Sequence, residues 1–408
     1  MASEKRRNVA VARVIPVVLA ALIAYGSYVF TGPLCINYFI HPPSHHGAPK
    51  PRRGLAIGLL IPYYILLIIV CISYLRVLST ILLNPGFLPR GNQWDTLNSP
   101  ETESKKKRRR SSRSRSRPSS AHSAKQKHQG DKKTETSPYP IDAYGLEAYY
   151  CKDIFVCQPD GRPPWCPTCC QWKTDRSHHC SEVDRCVRKL DHFCPWVGGV
   201  ICENSFKFFL QFLFYTFLFT TFNVTVFSIF VAEYRQDSGY LEVQWLVALG
   251  LFGLFFLFSL GMLSSSLHLA WLNCSTIESL TYQTKVWTLA VFISRPKDFR
   301  EFQSTREHPT PIVIYPGTAI LPSSSSASTT TSTGPSREFA ILSTNPGENP
   351  FDLGSPLANL CDVMGHSVLE WLVPLKHSPC SDHSSQESAY AFGPVVQRLK
   401  REAGLSDK

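Results

Sequence analysis

Four long runs of apolar residues are the feature of this sequence that most limits how the chain can fold. A helix that crosses the hydrocarbon core of a bilayer needs about 20 predominantly apolar residues. The runs over 9–30, 55–75, 208–231 and 243–263 meet this length, and only the first contains a charge, Arg13 near its end. We therefore predict an α-helical polytopic membrane protein with four transmembrane helices, rather than a soluble protein with four buried core helices.

The first apolar run has one alternative interpretation, because Lys5, Arg6 and Arg7 precede it as they would precede a secretory signal peptide. The apolar stretch continues past the usual length of a signal peptide. This length favours a membrane helix.

Basic residues beside the spans predict their orientation, because cytosolic loops are enriched in Lys and Arg. The N-terminal flank and the segment after the fourth run are basic, whereas the loop between the third and fourth runs carries Arg235 among three acidic residues. The loop with Lys50, Arg52 and Arg53 weakens this contrast. We predict cytosolic termini, which also places residues 84–207 in the cytosol, and we expect the host to be an endomembrane or the plasma membrane.

The segment between the second and third runs begins with a basic linker over 84–143. Every residue from Lys105 to Arg117 is Lys, Arg or Ser, and this run supplies much of the net charge of +11. Such a composition predicts disorder, although the run could also bind anionic lipid headgroups or be phosphorylated. A nucleic-acid partner is not expected beside four spans. The tail over 273–408 is predicted to be cytosolic and disordered in part, around Ser323 to Ser336.

Cysteines concentrate in the second half of this segment, residues 144–207. Nine of the 14 cysteines lie between Cys151 and Cys202. A Cys-x-x-Cys pair is followed by a histidine and a further cysteine, which gives the set Cys166, Cys169, His179 and Cys186. Three thiolates and one imidazole suit tetrahedral zinc in a reducing compartment. We predict a small zinc-bound cysteine-rich cytosolic domain between spans two and three.

The string from Asp191 to Trp196 contains the groups of a nucleophilic site. A cysteine attacks as its thiolate, an imidazole can take the thiol proton, and a carboxylate can orient that imidazole. Asp191, His192 and Cys194 supply all three, although zinc ligation by His192 and Cys194 is an equal alternative from the string alone. Because Cys194 lies shortly before Phe208, where the third run begins, we expect it at the membrane surface within reach of an acyl chain.

Taken together, these motifs resemble the DHHC palmitoyltransferases. The order of cysteines and histidines from Trp165 to Phe209 is similar to the cysteine-rich domain of that family, which also lies between spans two and three. Three weaker marks occur in matching order around the spans: Asn84-Pro85-Gly86, Ser275-Thr276-Ile277-Glu278, and Asn349-Pro350-Phe351-Asp352-Leu353-Gly354 with Asn359.

The resemblance implies an enzyme that works in two steps. Cys194 would take a palmitoyl group from palmitoyl-CoA and pass it to an accessible cysteine of a cytosolic or membrane-associated substrate protein. His192 would act as the base and Asp191 would orient it. The acyl chain would lie in a cavity between the spans.

The sequence departs from the family pattern at the second zinc site that the family usually has. Cys180 is kept, but Val183, Phe193 and Val200 stand at the other three ligand positions. We predict that a small hydrophobic cluster replaces this site, which leaves one structural zinc per chain. An aromatic residue beside the nucleophile also resembles some fungal members of the family.

Two other functions compete with the enzyme. Loss of the second zinc site would suit a non-catalytic zinc-binding membrane adaptor, but an adaptor has no need of the complete nucleophilic string. A thiol redox protein could use Cys169 with Cys170 or Cys180, but metal-bound thiolates are not free to cycle.

Overall fold

The computed structural model of the 408-residue chain describes residues 2–42, 51–91, 94, 146–317, 334–381 and 390–405. The predicted basic linker, apart from its first residues and residue 94, lies outside this part of the chain. So does most of the predicted disordered stretch from Ser323 to Ser336.

Four helices are long and apolar enough to cross a membrane, as the sequence predicts. Each is longer than its apolar run, because helical geometry continues into the flanking residues. Span 1 is Ala2–Val29 with a π-helical continuation Phe30–Ile40, span 2 is Arg53–Leu83, span 3 is Phe206–Ser238, and span 4 is Val243–Trp271.

Aromatic side chains pack the spans against one another. Phe30 of span 1 stacks on Tyr63 of span 2 with ring centroids 4.0 Å apart, and the Tyr63 hydroxyl donates a hydrogen bond of 2.9 Å to Ser27. Span 1 approaches span 4 closely at Gly26, where an added Cβ would lie 2.8 Å from the Phe252 ring. Without a hydrophobic force between helices in lipid, such close contacts hold the bundle together.

Ten strands lie outside the spans in the described part of the chain. In chain order they are β1 (Ile154–Cys157), β2 (Trp165–Cys166), β3 (Gln171–Trp172), β4 (His178–Cys180), β5 (Arg185–Val187), β6 (His192–Cys194), β7 (Gly199–Ile201), β8 (Thr288–Phe292), β9 (Ile312–Gly317) and β10 (Gly334–Ser343).

The strands of the cysteine-rich region form three short antiparallel pairs, β2 with β3, β4 with β5, and β6 with β7. Each strand in these pairs has only two or three residues. Pairs this small bury little apolar surface of their own, so the region depends on its ligand cluster and on contacts with its neighbours.

The remaining strands form one antiparallel sheet in the order β1-β8-β10-β9. β1 precedes the zinc-ligand motif, whereas β8, β9 and β10 follow span 4. Helices Pro296–Ser304 and Pro394–Ala403 contribute Phe299, Val396 and Leu399 to the core on one face of the sheet. The sheet thus combines a strand of the predicted cysteine-rich domain with strands of the predicted C-terminal tail. The boundaries between these two parts stay a prediction.

The other helices are short, and one of them begins with a capping box. In helix Thr276–Ser279, the Ser275 side chain accepts from the Glu278 amide, and the Glu278 carboxylate accepts from the Ser275 amide at 2.9 Å. The rest are Glu147–Tyr150, Pro356–Met364, Val368–Leu372 and the 3₁₀ turn Pro195–Val197.

Candidate active site and metal centre

The four predicted zinc ligands come together in one cluster. Cys166 ends β2 and Cys169 lies in the turn to β3, and the β4–β5 pair places His179 directly opposite Cys186. The ligand atoms of all four residues lie within 4.8 Å of one another. The His179 Nδ1 atom is 3.6, 3.4 and 4.0 Å from the sulfurs of Cys166, Cys169 and Cys186. The cluster could hold a metal ion.

Its surroundings suit a cation. The hydrogen bond from Cys186 is the main cause that lowers the pKa of Cys166, to about 5, which favours a thiolate. On the other side of the imidazole, His179 Nε2 lies 3.5 Å from an Asp184 carboxylate oxygen. A carboxylate at this position orients the ring of a metal-bound histidine.

The four residues at the lost second site pack in an apolar cluster, as predicted. Cys180 and Val200 are buried, and Val183 and Phe193 pack against them. Phe193 and Val200 face each other across the β6–β7 pair. Within the described residues, the Cys166 set is the only group placed to hold a metal ion.

Cys194 ends β6 at the point where the cysteine-rich region meets the spans. It is 3% exposed and belongs to the same apolar cluster as Ile81 of span 2 and Leu213 of span 3. Opposite it, Gly199 comes so close to span 2 that an added Cβ would lie 2.5 Å from Ile81. The glycine therefore allows the β6–β7 pair to seat Cys194 against the helix ends.

His192 and Asp191 lie in a chain of hydrogen bonds beside Cys194. The His192 Nδ1 atom is 2.6 Å from Asp191 Oδ2. The same carboxylate accepts from the Thr276 amide at 2.7 Å and from the Thr276 hydroxyl at 2.9 Å. Asp191 is buried, so these donors take the place of water in holding its charge and its direction.

The environment of His192 favours its charged form. Burial lowers the pKa of the imidazole, but interactions with Asp191 and with Cys194 outweigh it and raise the pKa to about 9. The other ring nitrogen, Nε2, is buried without a hydrogen-bond partner among the described residues.

A buried ion pair connects the zinc-ligand region to the end of span 4. The guanidinium of Arg176 donates to both carboxylate oxygens of Glu278 at 2.9 and 2.6 Å, and to Asn273. Its positive charge also lies over the Phe351 ring, 4.6 Å from the centroid. Burial opposes ionisation of Glu278, but Arg176 lowers the carboxyl pKa to about 2.

The residues Asn349 to Gly354 together with Asn359, which we call the C-terminal motif, cap the end of span 4. Helix ends leave four backbone carbonyls without partners inside the helix. The Asn349 side chain donates to the carbonyl of Leu272 at 2.9 Å, and the Asn359 side chain donates to that of Trp271 at 2.7 Å. These contacts fix the turn that leads into Thr276 and hence the position of its hydrogen bonds to Asp191.

Thr276 and Arg176 are the site residues to which the sequence assigns no role. The capping-box pattern of Ser275 and Glu278 marks a helix start at Thr276, but nothing local indicates that its partner is Asp191. Arg176 has a positive φ of 59° and makes its main contacts after span 4, so it gives no short-range signal.

An apolar cavity of about 120 Å³ lies between the spans, next to this site. All four spans line it, for example through Leu19, Cys71, Phe212 and Phe255, and Trp196 joins them from the nucleophilic string. The Trp196 backbone is held by a hydrogen bond of 2.9 Å from the Tyr74 hydroxyl to its carbonyl.

A second pocket of about 570 Å³ opens between β1, the β3–β4 turn and β8. Four basic residues line it: Lys173, Arg176, His178 and Lys285. Burial lowers the pKa of both His178 and Lys285, and Arg176 is paired with Glu278, so part of the basic character of this pocket is offset within the protein.

Comparison with known proteins agrees with this architecture. Residues 160–283 match the family model described as DHHC palmitoyltransferase. The chain is 49% identical to Palmitoyltransferase pfa5 of Aspergillus fumigatus over 99% of its own length and 92% of that relative. It is 47% identical to Palmitoyltransferase pfa5 of Emericella nidulans, over 99% and 88%. It is 29% identical to Palmitoyltransferase PFA3 of Saccharomyces cerevisiae, over 65% and 69%.

The first two of these relatives cover nearly the whole chain, including all four spans, the cysteine-rich region and the C-terminal part. They favour the enzyme over the adaptor and the redox protein. The chain therefore belongs to the DHHC palmitoyltransferase family and is a membrane-embedded protein S-palmitoyltransferase.

Proposed function

We propose that Cys194 is the nucleophile of this enzyme, with His192 as its base and Asp191 as the residue that orients His192. The observation that carries the proposal is the chain of hydrogen bonds from Thr276 through Asp191 to His192, beside a buried cysteine at the ends of spans 2 and 3. An adjacent base, itself oriented by a third group, is the arrangement that activates a weak nucleophile.

The first step transfers the palmitoyl group from palmitoyl-CoA to Cys194. Before the attack the proton of the Cys194 thiol passes to His192, so that a thiolate faces a protonated imidazole. The thiolate then attacks the thioester carbonyl, and the bond to the CoA sulfur breaks. His192 returns the proton to the departing CoA thiolate. The raised pKa of His192 supports this proposal, because the imidazole can hold the proton between the two transfers.

The second step repeats this chemistry with a substrate cysteine. The substrate thiol gives its proton to His192 and attacks the Cys194 thioester, and Cys194 leaves and recovers the proton. A thioester exchanges with another thiol at little cost in free energy, so the acyl group can pass in either step without an external energy source.

The donor would occupy both pockets. The apolar cavity lined by Trp196 suits the acyl chain, and the pocket with Lys173 and Lys285 offers positive charge to the phosphates of CoA. Substrates would be cytosolic or membrane-associated proteins with accessible cysteines, and the cysteine-rich region and both termini would face the cytosol.

Zinc is the metal that best suits Cys166, Cys169, His179 and Cys186, because a Cys₃His set with all four positions filled is typical of structural zinc. The ion would tie the β2–β3 turn to the β4–β5 pair. It would supply rigidity and take no part in acyl transfer.

The test of this proposal is transfer from an isolated acyl-enzyme. Protein in liposomes is loaded with radiolabelled palmitoyl-CoA, freed of the donor, and then mixed with a cysteine-containing peptide. We expect the label to move to the peptide without further palmitoyl-CoA. Transfer that occurs only while palmitoyl-CoA is present would show direct transfer and contradict the two-step scheme.

A further inference from the structure

Residues 366–377 of the C-terminal part lie against the outer surface of spans 2 and 3, and we call them the dipping segment. The segment contains the short helix Val368–Leu372. It follows the helix Pro356–Met364 and belongs to the described range that ends at residue 381.

Side chains of span 3 satisfy the backbone of the segment. Gln211 Nε2 donates to the carbonyls of residues 370 and 371, at 3.1 and 2.9 Å. The Tyr215 hydroxyl donates to the carbonyl of Leu372 at 2.7 Å. Span 3 begins at Phe206, and at 1.5 Å per residue Tyr215 lies about 13 Å along it. The middle of the segment therefore lies beside the span itself.

Span 2 holds the returning end of the segment. The Arg76 guanidinium donates to the carbonyl of Leu375 at 3.0 Å, about 10 Å along the helix from its end at Leu83. Closer to the start of span 3, the His377 ring meets the Phe208 ring edge to face with centroids 5.1 Å apart. Along span 3, the segment therefore reaches furthest from the start of the helix near Leu372, and it is back near that start at His377.

The opposite side of the segment is apolar and uncovered. Its exposed fractions are far above those of a core position: Val368 71%, Leu369 70%, Leu372 43%, Val373 41% and Leu375 73%. Comparable exposed apolar residues lie on the adjoining span 2, where Leu75 is 62% exposed. The apolar surface of the segment is therefore continuous with the surface that the spans present to lipid.

We propose that the dipping segment enters the bilayer leaflet on the side of the cysteine-rich region and anchors the C-terminal part to lipid acyl chains. A backbone in hydrocarbon must have its polar groups satisfied by protein, and the four carbonyls held by Gln211, Tyr215 and Arg76 meet this requirement. The charges at its edges also fit, because Lys376 pairs with Glu370 at 2.9 Å and its long side chain can reach the headgroups.

The anchor is coupled to the active site through Trp371. The indole packs against the apolar cluster that contains Cys194, and its N–H donates to the carbonyl of Gly365 at 2.7 Å. Lipid that holds the segment in place therefore also supports the surroundings of the nucleophile.

Photo-crosslinking of the full chain in liposomes tests the anchor. Leu369 is replaced by p-benzoylphenylalanine, and the liposomes contain phosphatidylcholine with an alkyne at the end of an acyl chain. Matched variants carry the same photoreactive residue at Leu75 of span 2 or at Ile314 of β9, which is 56% exposed on the sheet. All three sites are exposed, so each replacement adds bulk without filling the core.

We expect the lipid label at position 369 to be comparable with that at 75 and well above that at 314. A label at 369 as low as at 314 would overturn the proposal. A crosslink from 369 to a second copy of the chain, seen as a dimer band without lipid label, would also overturn it, because the apolar face would then be a protein interface.

Discussion

His192 carries the charge that the proposed chemistry depends on. Below a pH of about 9 its imidazole is protonated in the folded protein, and above that pH the proton is lost. Because the CoA thiolate is expected to leave with this proton, the rate of Cys194 acylation should fall as the pH rises through about 9.

Asp191→Asn tests the origin of this pH dependence. Without the carboxylate the pKa of His192 falls, so the basic limb of the pH–rate profile should move to lower pH. The maximal rate should also drop by about 10²–10⁴, because a misoriented His192 loses much of the usual contribution of a positioned general base. Single-turnover acylation between about pH 6 and 10 measures both effects. An unmoved basic limb in Asp191→Asn would contradict the role given to the pair.

Thr276 is a positioning residue that acts through Asp191. Thr276→Val keeps the amide hydrogen bond to Asp191 but removes the one from the hydroxyl. We expect acylation to slow about 5- to 10-fold, equivalent to the 1–1.5 kcal/mol of a single hydrogen bond. Thr276→Ser keeps the hydroxyl and serves as the control. Equal rates for the Val and Ser variants would argue against this role.

The two halves of the cysteine-rich region show what replaces a metal site. One half has four ligand atoms within 4.8 Å of one another, and the other has an apolar cluster built around Cys180 and Val200. Both outcomes follow from residue identity and spacing, because a missing ligand cannot be supplied from elsewhere in so small a region. This part of the site could therefore be predicted from the sequence.

Metal analysis of the purified protein tests whether only one half of the cysteine-rich region binds zinc. We expect about one zinc per chain, lost in Cys166→Ala together with a fall in thermal stability. Cys180→Ala removes a thiol of the same region but should keep the zinc. Two zinc ions per chain, or loss of zinc in Cys180→Ala, would show that the second half still binds metal.

The sheet that joins β1 to β8 and β10 could not be predicted in the same way. In the sequence, β1 precedes span 3 whereas β8, β9 and β10 follow span 4, so their pairing depends on the folded bundle. The hydrogen bonds of Thr276 to Asp191 also depend on the folded bundle, since they join residues far apart in the chain. The four spans, by contrast, are set by length and hydrophobicity alone.

Across the whole molecule, the Arg176–Glu278 pair connects the cysteine-rich region, span 4 and the C-terminal motif. Both side chains are buried, and removal of one partner from a buried pair costs about 3–5 kcal/mol. Glu278→Gln should therefore lower the midpoint of thermal unfolding strongly. Glu348→Gln breaks the partly exposed pair with Arg398 and should have a much smaller effect. Equal losses would contradict the importance of the buried pair.

The contribution of the Arg176–Glu278 pair to the stability of the folded protein depends on pH. The pKa of the Glu278 carboxyl is lowered from 4.5 to about 2 on folding. The pair therefore stabilises the protein fully above about pH 4.5, and its contribution is lost as the pH falls towards 2. At neutral pH the connection between the three parts is intact.

The identity of the nucleophile is tested most directly by labelling with a clickable palmitoyl-CoA analogue. Wild-type protein should take up a label that hydroxylamine removes, as expected for a thioester. Cys151→Ser removes an exposed thiol and should label like wild type, whereas Cys194→Ser, with its zinc content unchanged, should not label. Equal labelling of wild type and Cys194→Ser would contradict the assignment of Cys194 as the acyl carrier.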